Sequence, residues 1–257
     1  MWAQTKLLIH KVLRRLGYRL MPIAMTSGDE CLATHLRDHG IDLILDVGAN
    51  TGQFARNALE LGYRGRIVSF EPQAAAHAEL VARSRAHPSW SVAERCCLGE
   101  RDGETEIHVS RNSISSSVLP IAPEHARISP EASYVGVERV PLRRLDPLVR
   151  EALLASRSAL LKIDVQGYED RVMAGALETL TRVRGLQLEM SLCPVYEGQI
   201  LFPSILNRIL GLGFEPISFT PAFIDPTTGR WLQVDGLFFR PRARAKELPR
   251  PLRVALG

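Results

Sequence analysis

In 257 residues there is no run of about 18 apolar residues, so a membrane-spanning helix is not expected. The first apolar stretch is broken by Lys11, Arg14 and Arg15 before any small-residue cleavage site, which argues against a secretory signal peptide. The four cysteines, Cys31, Cys96, Cys97 and Cys193, lack the C-x-x-C spacing of zinc sites and the framework of a small secreted domain. Reduced thiols in a cytoplasmic protein are the simpler expectation. Neither G-x-G-x-x-G nor G-x-x-x-x-G-K-[ST] occurs, which removes the pyrophosphate fingerprint and the Walker loop. None of Tyr18, Tyr63, Tyr134, Tyr168 and Tyr196 has a lysine four residues on, so the tyrosine and lysine pair of short-chain dehydrogenases is missing too.

The net charge is small but unevenly placed. It is +4; residues 1–28 and residues 240–257 each carry +5, which leaves −6 on the body between them. A general nucleic-acid-binding domain would spread positive charge across its folded surface, so no nucleic-acid partner is expected. Residues 5–20 read as a helix with Leu8, Ile9, Val12, Leu13 and Leu16 on one arc and Lys6, Lys11, Arg14 and Arg15 outside it. That pattern suits either a helix docked on the core or peripheral contact with the inner face of a membrane. The organisation expected is a basic extension (1–28), one catalytic domain (29–240) and a Pro/Arg-rich tail (241–257).

Within the domain, apolar runs alternate with helical patterns. DLILDV at 42–47 is followed by GANTG and a helix, RIVSFEP at 66–72 by a helix over 74–86, and a third strand signal lies around 90–98. ALLKIDV at 159–165 precedes a single helix, EDRVMAGALETL, and LQLEMSL at 186–192 is the next strand. A helix over 203–211 leads to two hairpin-like strands, FEPISF and WLQVDGLFFR. The prediction is a doubly wound α/β fold, with a mainly parallel seven-stranded sheet and an antiparallel edge contributed by the last strand. The segment 110–139, rich in serine and proline, reads as a long loop over a site.

The sharpest local feature is Asp46-Val47-Gly48-Ala49-Asn50-Thr51-Gly52 at a strand-to-helix junction. Gly48 and Gly52 permit a tight turn, and the helix N-terminus offers N–H groups to an anionic part of a ligand. Glu71, at the end of the second strand, suits ribose hydroxyls and would repel a 2′-phosphate. Together these favour an adenosine-containing ligand. S-adenosylmethionine fits better than NAD, because its ammonium wants a carboxylate such as Asp46 and it needs no pyrophosphate loop.

ILDVGANTGQFA, VSFEP, CLGERDGETEIHV, SISSSVL, VPLRRLD and LLKIDVQGYEDRVMAGA followed by LQLEMS together resemble the FkbM-type methyltransferase family over roughly residues 41–220. The resemblance implies a class I, Rossmann-like, S-adenosylmethionine-dependent enzyme that methylates hydroxyls on sugars, polyketides or related natural products. It implies that Asp46, Gly48, Asn50 and Gly52 hold the methionyl end, Glu71 the ribose, and Cys97 and Leu98 the adenine pocket. Gln166 stands where the family usually has Glu.

Methyl transfer to an alcohol needs alignment of the reacting atoms and a base for the proton. Asp164, at the carboxyl end of its strand, is the first candidate, with Glu169 and Glu189 in reserve. Lys162 points the same way and suits either support of Asp164 or a hydrogen bond to substrate. Each has a structural alternative: Lys162 and Asp164 as a mutual pair, and Glu169 as a helix cap. His125 is a further base if the 110–139 segment closes, and Ser115, Ser116 and Ser117 suit hydroxyl recognition or a flexible turn. Asp164 with Glu189 is also compatible with Mg²⁺, so metal dependence stays open. The expected acceptor is a hydroxyl of a sugar-containing natural product or glycolipid. The competing functions are an NAD-dependent oxidoreductase and a non-catalytic membrane-surface module.

Overall fold

The computed structural model describes residues 28–241 and, ahead of them, Leu13. Apart from Leu13, the proposed basic helix over 5–20 lies outside the described residues, as does the 242–257 part of the tail. Among the described residues no helix is long and apolar enough to cross a membrane.

A helix, α1 (Gly28–Asp38), leads into β1 (Leu43–Val47), whose five residues are all buried. The sequence LILDV produces such a strand because a parallel strand covered on both faces needs apolar side chains on both. The series continues with α2 (Gln53–Glu60), β2 (Arg66–Phe70), α3 (Ala74–Ser84) and β3 (Trp90–Val92). After an insertion come α5 (Leu145–Leu154), β7 (Ala159–Ile163), α6 (Glu169–Ala174), α7 (Leu177–Arg182), β8 (Gly185–Ser191), α8 (Phe202–Gly211), β9 (Glu215–Ile224) and β10 (Trp231–Phe239). The main sheet has seven strands in the order β3-β2-β1-β7-β8-β10-β9. β1 is parallel to β2 and β7, and β7 is parallel to β8. The last strand runs antiparallel, as the hairpin signal implied, and it lies one place in from the edge, which β9 occupies.

The chain winds outward from β1 to β3 and returns to the other side of β1 at β7. The switch point therefore lies between β1 and β7, where open α/β sheets bind ligands beyond the strand ends. Two core clusters cover the sheet's faces, one including Leu45, Leu161 and Leu188 and the other including Ile44, Leu160 and Trp90.

Three expectations change. The strand signal at 90–98 divides into β3 and β4 (Cys97–Leu98), which belong to different sheets. The segment 110–139 is bounded and partly filled by regular structure. β5 (Gly103–Ser110) and β6 (Tyr134–Arg143) pair antiparallel, and β4 joins them in a second sheet of order β4-β6-β5. Between β5 and β6 lie α4 (Pro123–Ile128) and a short 3-10 turn, Pro130–Ala132, so the irregular cover over the site reduces to 111–122. Finally, the helix after β7 breaks at Gly175-Ala176. A Cβ on Gly175 would lie 1.9 Å from the Gly99 carbonyl oxygen, so only glycine fits at the break. Asp146 restarts it by accepting the N–H groups of Glu178 and Thr179 at 3.0 and 2.8 Å.

Candidate active site

The strand register builds the floor of the site. Asp46 on β1 is paired with Ser69 on β2 and with Lys162 on β7, and Lys162 is paired with Gln187 on β8. This places a polar row across four strands, just below their carboxyl ends. Asp46 is fully buried; its Oδ2 accepts from Ser69 Oγ at 3.1 Å and its Oδ1 lies 3.2 Å from Lys162 Nζ. Lys162 Nζ also donates to the Gly48 carbonyl at 2.9 Å and lies 3.5 Å from Asp164 Oδ2. Burial alone would pull the lysine pKa down, but Asp46 and Asp164 outweigh it and hold the ammonium charged, above the ordinary lysine value. One hydrogen bond and two ion-pair contacts thus hold the ammonium between Gly48, Asp46 and Asp164, the arrangement expected of a lysine that supports Asp164.

Above this row opens a cavity of about 470 Å³, within the range of small-molecule sites. Gly48, Asn50, Glu71, Cys97 and Leu98 lie in its wall, as do Lys162, Asp164 and Glu189. Three other sequence candidates lie behind the wall. Asp46 faces Lys162, as described. Gly52 (φ +89) turns the chain into α2, and a Cβ there would meet the Trp90 ring at 2.5 Å. Glu169 is buried and braces a loop: its Oε1 accepts the N–H groups of Val165 and Gly167, both at 3.1 Å. Burial raises the Glu169 carboxyl to about 7. Its role is to fix the turn after β7 rather than to face an acceptor.

On the β2 side, Glu71 is 2% exposed. Its Oε2 accepts the Asn50 N–H at 2.8 Å and its Oε1 the Gln73 N–H at 2.9 Å, which ties the β1 and β2 turns together. Asn50 sits at φ +46, a left-handed position that asparagine tolerates better than most residues. Burial pushes the Glu71 carboxyl up to about 7, although the two backbone donors act the other way.

The opposite wall combines carboxylates with amides. Asp235 on β10 stands directly across from Glu189 on β8. Glu189 Oε2 accepts from Gln166 Nε2 at 3.0 Å and from Gln233 Nε2 at 2.7 Å. Burial, with Asp164 and Asp235 adding repulsion, drives the Glu189 carboxyl well above the usual range. Burial and Asp164 bring Asp235 to about 7. Asp164 is 35% exposed at its side chain, open to the cavity. His125 lines the same cavity at 5% exposure, with no partner for Nδ1, and burial lowers its pKa. Sequence reasoning missed Gln233, Asp235 and Tyr196, because the antiparallel register of β10 and the loop after β8 bring them in from a distance. Among the described residues, no group of three or more His, Cys, Asp or Glu side chains is arranged to hold a metal.

The cover is held by side chains. Gln73 Nε2 donates to the Ser113 carbonyl at 2.9 Å, Ser116 Oγ to Gln73 Oε1 at 3.0 Å, and Ser117 Oγ to the Gln166 carbonyl at 2.6 Å. Ser115, Ser116 and Ser117 thus all line the cavity.

The 2-O-methyltransferase NoeI of Sinorhizobium fredii (strain NBRC 101917 / NGR234) is 32% identical over 174 residues, covering 65% of this chain and 70% of NoeI. Two solved structures resemble the chain at low identity. An rRNA methylase from Streptococcus thermophilus gives a TM-score of 0.47 at 11% identity, covering 85% of this chain and 99% of that one. Fibrillarin from Aeropyrum pernix, solved with natively bound S-adenosyl-L-methionine, gives 0.43 at 13% identity, covering 76% and 66%. The Methyltransferase FkbM domain matches residues 46–216, a span running from the buried Asp46 through the β1, β2, β7 and β8 parts of the cavity to the start of β9, and it replaces the oxidoreductase alternative: the chain belongs to the FkbM family of S-adenosylmethionine-dependent methyltransferases.

Proposed function

We propose that this enzyme is an O-methyltransferase acting on a hydroxyl of a sugar-containing natural product or glycolipid. One observation carries the reading. A single cavity at the switch point joins a β1–β2 wall suited to an adenosyl group with a β7–β8–β10 wall of carboxylates and amides suited to hydroxyls. The 2-O-methyltransferase name of the relative NoeI supports a hydroxyl acceptor. The basic, amphipathic pattern at 5–20 favours an acceptor at a membrane surface.

The residues present fit S-adenosylmethionine. A carboxylate offers about four lone-pair sites, and the two backbone N–H groups on Glu71 leave capacity for a ribose diol. Gly48 and Asn50 line the β1 end, and Cys97 and Leu98 give an apolar surface for a base. When bound, the cofactor supplies an electrophilic methyl group on a sulfonium. The chain's part is to hold the acceptor oxygen in line and to take its proton; Asp164 is the proposed base, held in place by Lys162 and Gln166.

Glu71→Gln should weaken S-adenosylmethionine binding by about 10- to 100-fold, as hydrogen bonds to a charged group are worth roughly 1.5–3 kcal/mol. In the wild type, affinity should rise between pH 6 and 8, as a carboxyl near 7 ionises and becomes the better acceptor. The variant should lose that dependence. Calorimetry across this range checks both, and an unchanged pH dependence in the variant would remove Glu71 from the cofactor site.

The function itself is tested by incubating glycolipid extracts and neutral methyl glycosides with methyl-labelled cofactor, then identifying labelled species by mass spectrometry. Methyl ethers on sugar hydroxyls are expected. Label found only on nitrogen or on nucleic acid would overturn the reading.

A further inference from the structure

Among the described residues, Gln166 joins two carboxylates through its side chain and meets the cover through its backbone carbonyl. Its amide nitrogen donates to Asp164 Oδ1 at 2.8 Å and to Glu189 Oε2 at 3.0 Å, so each of its two N–H bonds meets a different carboxylate. Its amide oxygen accepts from the Tyr196 hydroxyl at 2.7 Å, which fixes which end of the amide faces the carboxylates. Its carbonyl accepts from Ser117 Oγ at 2.6 Å. The backbone is left-handed, φ +57, and Gly167 after it has φ +95 with Tyr196 packed on it. Every hydrogen-bonding group of this side chain is used, in a strained conformation.

From this geometry we propose that Gln166 is the positioning residue of the transfer reaction: its amide bridges Asp164 and Glu189, keeps them at a fixed separation, and links their placement to closure of the 111–122 cover. The proposal rests on the methyltransferase reading of the cavity. The glutamate that the family usually carries at this position could not make both of these donations in this chain. Ionised, it has no donor; protonated, it has one, which cannot serve two carboxylates. The groups facing this point are Lys162 from β7, Asp164 and Glu169 from the following turn and α6, Glu189 from β8, Asp235 from β10, Tyr196 from the loop after β8, and His125 from α4. Lys162 is the only fixed cation in that set, and Asp46 shares it. A neutral double donor therefore relieves repulsion without adding charge.

The test uses the full chain with Gln166→Glu, Gln166→Met and Tyr196→Phe. Thermal unfolding is followed from pH 5.5 to 8.5, alongside calorimetry with S-adenosylmethionine and transfer to neutral methyl glycosides. A glutamate added to this cluster has a folded-state pKa raised by its neighbours. Its stability is present at low pH and lost as pH rises, so Gln166→Glu should lie nearest the wild type at pH 5.5, short by one hydrogen bond, and fall progressively below it by pH 8.5. Gln166→Met should show a similar deficit at every pH. Both should keep cofactor affinity within about threefold and lose at least tenfold in turnover, as expected for a displaced base. Tyr196→Phe, which frees the amide to flip, should lose less. A Gln166→Glu melting curve parallel to the wild type across the range would overturn the bridge, and full turnover in both Gln166 variants would overturn its positioning role. Failure of the wild type to bind S-adenosylmethionine would instead strike at the cofactor reading, leaving the melting comparison to decide the bridge.

Discussion

Gly48→Ala should abolish measurable cofactor binding and destabilise the fold by about 3 kcal/mol or more, at the upper end of single-substitution effects. An added Cβ would lie 1.8 Å from the Asp164 carbonyl oxygen and 2.8 Å from its carbonyl carbon, with φ at +74. Both obstacles are backbone, so neither can rotate aside. The β1 turn would have to separate from the β7 turn, and with it the Gly48 carbonyl from Lys162 and the hydrogen bonds from the Gly48 and Ala49 N–H groups to Phe70. Misplacement by about 1 Å costs on the order of 100-fold in an aligned site. Gly62→Ala is the control: φ is +94 there and nothing lies within 4 Å, so it reports the backbone strain alone, about 1–2 kcal/mol. Calorimetry and thermal melts of the two variants separate the effects. Equal losses in both would mean that close approach at Gly48 is unimportant.

Asp164→Asn should reduce turnover by about 10²- to 10⁴-fold, the usual contribution of a positioned base, while cofactor affinity changes by less than about threefold. The substitution keeps the shape and removes the charge between Lys162 Nζ at 3.5 Å and Gln166 Nε2 at 2.8 Å. Parallel losses in turnover and affinity would place Asp164 among the cofactor contacts instead. Single-turnover kinetics with labelled cofactor separate the alternatives, because binding and chemistry are then read apart.

The parts of the molecule legible in the sequence are those in which one local pattern decides the outcome. LILDV and ALLKI are strands because both faces are covered, and the glycine turn after β1 announces the switch point. The wall on the β1 and β2 side follows from these, since Gly48, Asn50 and Glu71 sit at strand ends. Asp46 shows the limit of that reasoning: its place in the motif suggested a cofactor contact, whereas the register with Ser69 and Lys162 turns it into the buried anchor of a polar row. The acceptor side was less legible. Asp235 stands beside Glu189 only through the antiparallel register of β10, and like charges directly opposite are normally disfavoured, so no propensity argument proposes them. VERVPL was legible as a short strand and is the second half of β6, but β5 and the start of β6 were obscured because each buries only part of one face, with Val135 exposed.

The cover and the sheet are held in different ways, and amide hydrogen exchange should separate them. β1 lies inside the main sheet, bonded along its length to β2 and β7, and its amides should exchange only when the whole domain opens. The 111–122 segment has few ladder bonds, chiefly the isolated bridges at Ser117 and Ile121, and is otherwise secured by the side chains of Asn50, Gln73 and Tyr196 and by the Ser117 hydroxyl on the Gln166 carbonyl. Such a segment opens locally at a small fraction of the global free energy. The roof of the site is thus its own foldon, able to admit an acceptor while the floor remains closed to deuterium.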